Sequence, residues 1–93
     1  LTTDADVPRE AMQRILREAS DTTFNTLNVD GATSTNDTAM LFASGKRGPC
    51  DLDEFGRAVR AACDDLTMQM ARDAEGMTRI ARLTVTGAAS DAE

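Results

Sequence analysis

The sequence predicts an α+β fold in which two helices and three short strands follow one another as helix, strand, strand, helix, strand. Two stripes of apolar side chains at helical spacing predict the helices, and apolar residues at alternating positions between turn signals predict the strands. Folding of 93 residues buries roughly 60 to 70% of the surface that the unfolded chain exposes, enough for one modest core. Three strands with two helices would leave sheet edges unpaired. We therefore expect residues 1–93 to form a single partial domain.

The first helix is predicted over about residues 8 to 20. Its apolar stripe consists of Ala11, Met12, Ile15, Leu16 and Ala19. Pro8 suits the first helical turn, where a missing N–H leaves no hydrogen bond unmade. Asp6 or Val7 precedes it as the cap, and the pattern does not choose between them.

Two strands are predicted next. The stretch "FNTLNV", residues 24–29, places Leu27 and Val29 on one face of a half-buried strand, which Asp30 and Gly31 end with a turn. A more continuously apolar strand is predicted from Thr38 to Ala43, ending at the glycines and proline of "SGKRGP".

The second helix has the strongest local pattern in the chain. Asp51 is placed to cap it, with Glu54 three residues later, and about twenty residues give a rod of roughly 30 Å. Its stripe consists of Leu52, Phe55, Val59, Ala62, Cys63, Leu66 and Met70. Met68 lies off this stripe and is expected to face a partner or solvent.

The last strand is predicted from alternation. Arg79, Ala81, Leu83 and Val85 share one side, and Gly87 ends the pattern. The chain begins with Leu1, and "LTTDA" reads like the end of an element already under way. We therefore expect the chain to be a segment of a longer protein.

Charge and hydropathy limit the possible partners. Sixteen acidic residues against ten basic ones give a net charge of −6, which disfavours binding to nucleic acids and to anionic membranes. No apolar run approaches the roughly 20 residues of a membrane span, and the start has no signal-peptide pattern. We expect a cytoplasmic protein.

The chain contains no histidine, and this limits its chemistry. Cys50 and Cys63 are too far apart for a CxxC motif, so we predict no metal and no other cofactor. Cys63 lies on the apolar helix face as a buried, inert thiol, whereas Cys50 is predicted to be exposed in a loop. No histidine of this chain can serve as general base, so any acyl-transfer reaction has to find its base elsewhere.

Two segments are candidate sites. The polar stretch "VDGATSTNDT", Val29 to Thr38, is typical of successive turns in which side chains bond to nearby backbone N–H groups. Glu75, in "RDAEGMTR", follows the second helix, where a carboxylate is unfavourable at the negative end of the helix dipole unless it holds a cation. Arg79 or a substrate ammonium group could be that cation. A glycine helix stop with a solvated glutamate is the structural alternative.

The stretches "TFNTLNVDGATSTNDTAMLFASG", "RDAEGMTRIARLTVTGAASDAE" and "LTTDA" together resemble the glutamate N-acetyltransferase/ornithine acetyltransferase family of arginine biosynthesis, in the first part of its β chain. The resemblance is colinear over essentially all 93 residues, so it implies a fragment of the layered α/β sandwich of that family. It departs from the family at Ala32, usually acidic, and at Arg79, usually lysine. The second change keeps the charge but alters its geometry.

The resemblance implies an enzyme that cleaves itself before a threonine, which then carries an acetyl group from N2-acetylornithine to glutamate. That threonine is expected a few residues before Leu1, so no catalytic residue lies in this chain and the chain alone is expected to be inactive. The family's substrate-binding glutamate falls on Glu75.

Partners are implied in the same way. The oxyanion-hole donors belong to the α chain, and an α2β2 assembly with a second β chain is expected. Whether acetyl-CoA also serves as donor stays open. Thr2 and Thr3 are weak candidates for the nucleophile because neither is the first residue. The rival functions are a related amidase or aminopeptidase with an N-terminal nucleophile and a non-catalytic acidic interaction domain.

Overall fold

The computed structural model describes residues 1–32, 34–74 and 76–90. Its elements in chain order are strand β1 (Thr2–Asp6), helix α1 (Arg9–Thr22), a 3-10 segment (Phe24–Thr26), strand β2 (Phe42–Pro49) and helix α2 (Leu52–Asp73). The predicted α+β class is confirmed. The predicted order is corrected, because the described residues form two strands that alternate with two helices.

Strands β1 and β2 form a parallel pair. Thr2 lies opposite Phe42 and Thr3 opposite Ala43, and the register then shifts so that Ala5 lies opposite Gly48. At this irregularity residues 44–47 of β2 face the single residue Asp4 of β1, so β2 has three extra residues. Parallel neighbours need a long crossover connection, and α1 with the residues after it supplies the crossover.

Helix α1 begins at Arg9, and its first turn is held by the backbone alone. The cap residue is Pro8, which forms no side-chain capping bond, and the Met12 N–H donates to the Pro8 carbonyl at 2.9 Å. Neither Asp6 nor Val7 is the cap, because the helix begins only at Arg9. Asp6 is the last residue of β1, and Val7 is a buried residue between the two elements. The buried residues Ala11, Ile15 and Ala19 confirm the predicted stripe.

Helix α2 confirms its prediction most closely. The Asp51 carboxylate accepts a hydrogen bond from the Glu54 N–H at 2.8 Å, so the predicted cap is present. Asp53 and Glu54 in the first turn and Arg72 in the last complement the helix dipole. Its buried face consists of Val59, Cys63, Thr67 and Ala71. The predicted stripe is thus corrected at its C-terminal end, where Leu66 and Met70 are exposed.

The core consists of two clusters of buried side chains. The first joins α1 to α2 and contains Ile15, Ala19, Val59 and Cys63. The second joins β1 to α1 and contains Ala5, Val7 and Ala11. Phe55 is half-buried against both clusters and so links them. Cys50 also packs against the second cluster and is half-buried, which corrects its prediction as an exposed thiol.

Residues 24–29 do not form the predicted strand. Local hydrogen bonds of threonine hydroxyls form instead: Thr23 donates to the Ala19 carbonyl at 2.7 Å, and Thr26 donates to the Thr23 carbonyl at 2.6 Å. These bonds continue the path of α1 into the 3-10 segment. Phe24 packs on the first cluster, while Val29 is 52% exposed.

The strand predicted from Thr38 to Ala43 begins instead at Phe42 and continues to Pro49. The glycines of "SGKRGP" do not end it, because Gly45 and Gly48 adopt φ of 71° and 87° within the irregular part of the pairing. Pro49, predicted to stop the strand, is its last residue.

The strand predicted around residues 79–85 does not form within residues 76–90. Leu83 is 88% exposed and Val85 69% exposed. Alternation describes a side-chain pattern, but a strand also needs a neighbouring backbone to pair with.

Candidate functional site

The polar stretch from Val29 to Thr38 lies on the surface and bonds largely to itself. The Asn28 side-chain oxygen accepts from the Gly31 N–H at 2.8 Å, and the Asp30 carboxylate accepts from the Ala32 N–H at 2.9 Å. Short polar side chains here replace the backbone bonds of regular structure. The predicted series of turns is confirmed in this half; Thr33 lies outside the described residues.

The second half of the stretch is organised around one hydroxyl. Ser34 Oγ accepts from the N–H groups of Asn36 and Asp37 at 3.1 and 3.2 Å. The Thr38 hydroxyl donates to the Asn36 carbonyl at 3.4 Å. All described residues from 29 to 38 are exposed. The turn is therefore locally ordered and presents its side chains outward.

The chain leads from this turn into β2, and just before β2 it runs beside the beginning of β1. The Leu1 amino group donates to the Met40 carbonyl at 2.9 Å, and the Phe42 N–H donates to the Leu1 carbonyl at 3.0 Å. Leu1 is thus bonded on both sides of Leu41. The backbone entering β1 and the backbone leaving the polar turn are neighbours in one ladder.

The second candidate segment follows the end of α2. The helix ends at Asp73, and Ala74 caps it with an extended backbone. The Met77 N–H donates to the Ala74 carbonyl at 3.1 Å, and Gly76 has a φ of 74°, so the chain reverses just beyond the helix. Glu75, the predicted substrate-binding residue, lies outside the described residues, and its role stays a prediction.

Arg82 holds the segment after α2 against the helix, a contact that sequence reasoning missed. Its guanidinium lies 3.5 Å from the Asp64 carboxylate and 3.4 Å from the Met68 sulfur. Met68 therefore has a neighbour within the chain. The ion pair is largely exposed, so its contribution to stability is small, about 0 to 1 kcal/mol. No local pattern signals it, because the partners are 14 or more residues apart.

Thr3, a candidate nucleophile, and Cys63, predicted to be inert, both have structural surroundings. Thr3 Oγ1 accepts from the Ala5 N–H at 3.2 Å, beside the register shift of β1. Cys63 is buried, as predicted. Burial raises the pKa of the Cys63 thiol. A thiol kept neutral in this way is a poor nucleophile.

Two further findings concern ligands and membranes. Within the described parts of the chain, no group of three or more cysteine and carboxylate side chains is arranged to hold a metal ion. No helix in those residues combines the length and the apolar character needed to cross a membrane.

Comparison with known proteins settles the family. The model of the ArgJ family matches residues 1–93. The chain belongs to the ArgJ family. The arginine biosynthesis bifunctional protein ArgJ of Mycolicibacterium paratuberculosis is 52% identical over 95 residues, covering 98% of this chain and 23% of that protein. ArgJ of Streptomyces avermitilis is 49% identical over 92 residues, covering 98% of this chain and 24% of that protein. The chain thus spans about a quarter of the length of these relatives.

The fold also agrees with a solved ArgJ structure. The crystal structure of the arginine biosynthesis bifunctional protein ArgJ from Bacillus halodurans matches with a TM-score of 0.78 and 38% sequence identity. The match covers 85% of this chain and 40% of that chain. The resemblance inferred from the motifs is therefore confirmed in both sequence and structure.

Proposed function

We propose that this chain is the first part of the β chain of a glutamate N-acetyltransferase/ornithine acetyltransferase, following the nucleophilic threonine. The observation that carries the proposal is the match of the ArgJ family over residues 1–93, together with relatives named as arginine biosynthesis bifunctional proteins. The complete protein moves an acetyl group from N2-acetylornithine to glutamate. Residues 1–93 supply scaffold and one substrate-binding side chain.

The reaction proceeds in two acyl transfers. The threonine hydroxyl attacks the acetyl carbonyl of N2-acetylornithine, its own α-amino group accepts the hydroxyl proton, and ornithine leaves after its nitrogen takes up that proton. The amino group of glutamate then attacks the acetyl-threonine ester and releases the threonine. A threonine that uses its own amine needs no histidine, and this chain has none.

Glu75 binds the free ammonium group of the substrate in this proposal. Helix α2 ends at Asp73, two residues before Glu75 in the sequence. The dipole at this end of a helix disfavours a carboxylate that has no cation beside it. A substrate ammonium group supplies the cation, and a charge-assisted hydrogen bond orients the substrate more strongly than a neutral one. The position of Glu75 within the family motif supports the assignment.

The site is completed by other polypeptide. The α chain supplies the oxyanion-hole donors, and two α and two β chains form the assembly, which works in the cytoplasm. These partners follow from family membership. The net charge of −6 disfavours binding to nucleic acids. Use of acetyl-CoA as a second acetyl donor is a separate question.

The test is an assay of the complete protein with N2-acetylornithine, with and without glutamate. The proposal predicts acetylglutamate when glutamate is present; release of acetate alone would favour the hydrolase. Glu75→Gln is expected to raise the KM for N2-acetylornithine about 10- to 100-fold, because it removes a charged hydrogen bond. Asp73→Asn, two residues away, is the matched control and should leave KM unchanged. Unaltered kinetics of Glu75→Gln would refute its role.

A further inference from the structure

The regular part of the ladder between β1 and β2, before the register shift, extends to the first residue of the chain. Thr2 lies opposite Phe42 and Thr3 opposite Ala43, so each β1 residue in this part of the ladder lies opposite the residue 40 positions later. Leu1 follows the same rule, since it bonds to Met40 and Phe42 on either side of Leu41. The hydrogen bonds of Leu1 therefore keep its backbone beside residues 40–42.

Polypeptide that precedes Leu1 in the complete protein can continue this ladder. Residues 37–41 form no helix or turn, so their backbone can accept a neighbouring strand. Each step along that strand advances about 3.3 Å, at about 4.8 Å from its neighbour. By the same offset, a residue four positions before Leu1 would lie opposite Asp37, where the extended segment meets the turn closed by Ser34.

We propose that the turn from Ser34 to Asp37 forms one wall of the catalytic site, with Asn36 as a positioning residue for the nucleophilic threonine. The inference rests on the proposed function, which puts that threonine a few residues before Leu1. It adds a role for the polar turn, and this role follows from strand register.

Asn36 is the member of the turn best suited to the task. Ser34 Oγ already accepts two backbone N–H groups, and the Thr35 hydroxyl donates to Asn36 Oδ1 at 3.3 Å. Among the described residues, Asn36 Nδ2 has no partner, so it can donate to the threonine Oγ. That bond would fix the hydroxyl with its proton directed to the α-amino group. The backbone of Asn36 is itself held by Ser34 and Thr38.

The neutral charge of Asn36 also matters. The threonine α-amino group has to be unprotonated to act as base. A carboxylate at position 36 would add a second negative charge to that of Asp37 in the same turn, favour the charged form of the amine and raise its pKa, whereas an amide adds no charge. Asn36 can therefore orient the nucleophile without disabling its base.

The test uses the complete, self-cleaved protein, with rates normalised to the cleaved fraction seen on a denaturing gel. Asn36→Ala is expected to lower kcat about 10- to 100-fold with little change in the KM for N2-acetylornithine, because it misplaces the nucleophile. Asn28→Ala is the matched control. Asn28 is a turn-forming asparagine whose side-chain oxygen accepts the Gly31 N–H, and it lies outside the proposed wall.

A pH profile separates positioning from general loosening of the turn. Asn36→Asp is expected to move the acidic limb of the kcat profile to higher pH, and Asn28→Asp is not. The inference is overturned if Asn36→Ala keeps kcat within about twofold and Asn36→Asp leaves the acidic limb of the kcat profile in place. The proposed function still stands in that case, provided that the unsubstituted protein makes acetylglutamate. If the unsubstituted protein makes no acetylglutamate, both fall.

Discussion

Two parts of the chain use similar apolar patterns with different results. The packed region, made of β1, α1, the 3-10 segment, β2 and α2, buries one face of each helix in two linked clusters, although Phe42, Leu66 and Met70 stay exposed on its outside. The open segments, residues 27–41 and 76–90, also contain apolar residues, yet Val29, Leu83 and Val85 remain more than half exposed. Apolar character produces a core only where the chain itself supplies the opposing surface.

The family motifs lie mainly in the open segments. The "DGATSTND" stretch lies between the 3-10 segment and β2, and "EGMTR" follows α2. The packed region provides the fixed ends from which these segments start. This division agrees with the general placement of functional residues on loops held by a rigid scaffold. The following substitutions measure how sharp the division is.

The largest difference is expected between Ile15→Ala and Leu83→Ala. Ile15 is 5% exposed in the first cluster, and its loss should lower the free energy of unfolding by about 2 to 5 kcal/mol. Leu83, at 88% exposure, should change it by less than about 0.5 kcal/mol. Urea denaturation of each variant followed by circular dichroism gives both values. Equal losses would show that the open segments are packed as well.

Loss of the α2 cap is expected to have a smaller effect. Asp51→Ala removes the bond to the Glu54 N–H and should lower the free energy of unfolding by about 0.5 to 2 kcal/mol. Asp51→Asn is the control, because asparagine caps about as well. If both variants lose the same stability, the charge of Asp51 matters more than its cap bond.

Gly56→Ala tests the packing of the two helices and should increase stability. A Cβ at Gly56 would lie 3.7 Å from Ile15 Cγ1, an ordinary contact, and alanine is the better helix former by about 0.5 to 1 kcal/mol. The expected result is a higher urea midpoint with an unchanged slope. A lower midpoint would mean that α1 and α2 lie closer together than this distance implies.

The smallest effect concerns pH and the buried thiol. Because burial raises the pKa of Cys63 above the ordinary thiol value of 9.0, the unfolded chain loses its thiol proton first as pH rises past that value. The folded state then binds more protons than the unfolded state, so stability falls from that pH up to the higher pKa of the folded thiol. Cys63→Ala should remove this alkaline decline and Cys50→Ala should not. An identical decline in both variants would assign it to other groups.

The sequence predicts what short-range patterns control. The Asp51 cap, the stripe of α2 and the bonds of the polar turn involve residues within about four positions of one another. The cap and the described bonds of the turn are confirmed, and the stripe is confirmed at Val59 and Cys63 but not at Leu66 and Met70. Strand β1 was not predicted because its partner lies 40 residues later, which no local pattern records. The strand around residues 79–85 was predicted from alternation without a partner to pair with.

The candidate site shows the same limit. Local chemistry explains the turn at residues 34–37, while the assignment of Glu75 depends on family resemblance and stays a prediction. Strand register, which only the structure provides, places the residues after the turn beside Leu1, and the proposed role of the turn extends that register. Sequence motifs thus identify the segments, and long-range pairing indicates which of them meet.

The most direct test of the account is to find where the acetyl group is carried. The complete protein is incubated with N2-acetylornithine without glutamate, quenched in acid, digested and sequenced by tandem mass spectrometry. The account predicts an acetyl ester on a new N-terminal threonine a few residues before Leu1, which disappears when glutamate is added before quenching. An acetyl group on a residue within 1–93, or none on that threonine while acetylglutamate forms, would contradict it.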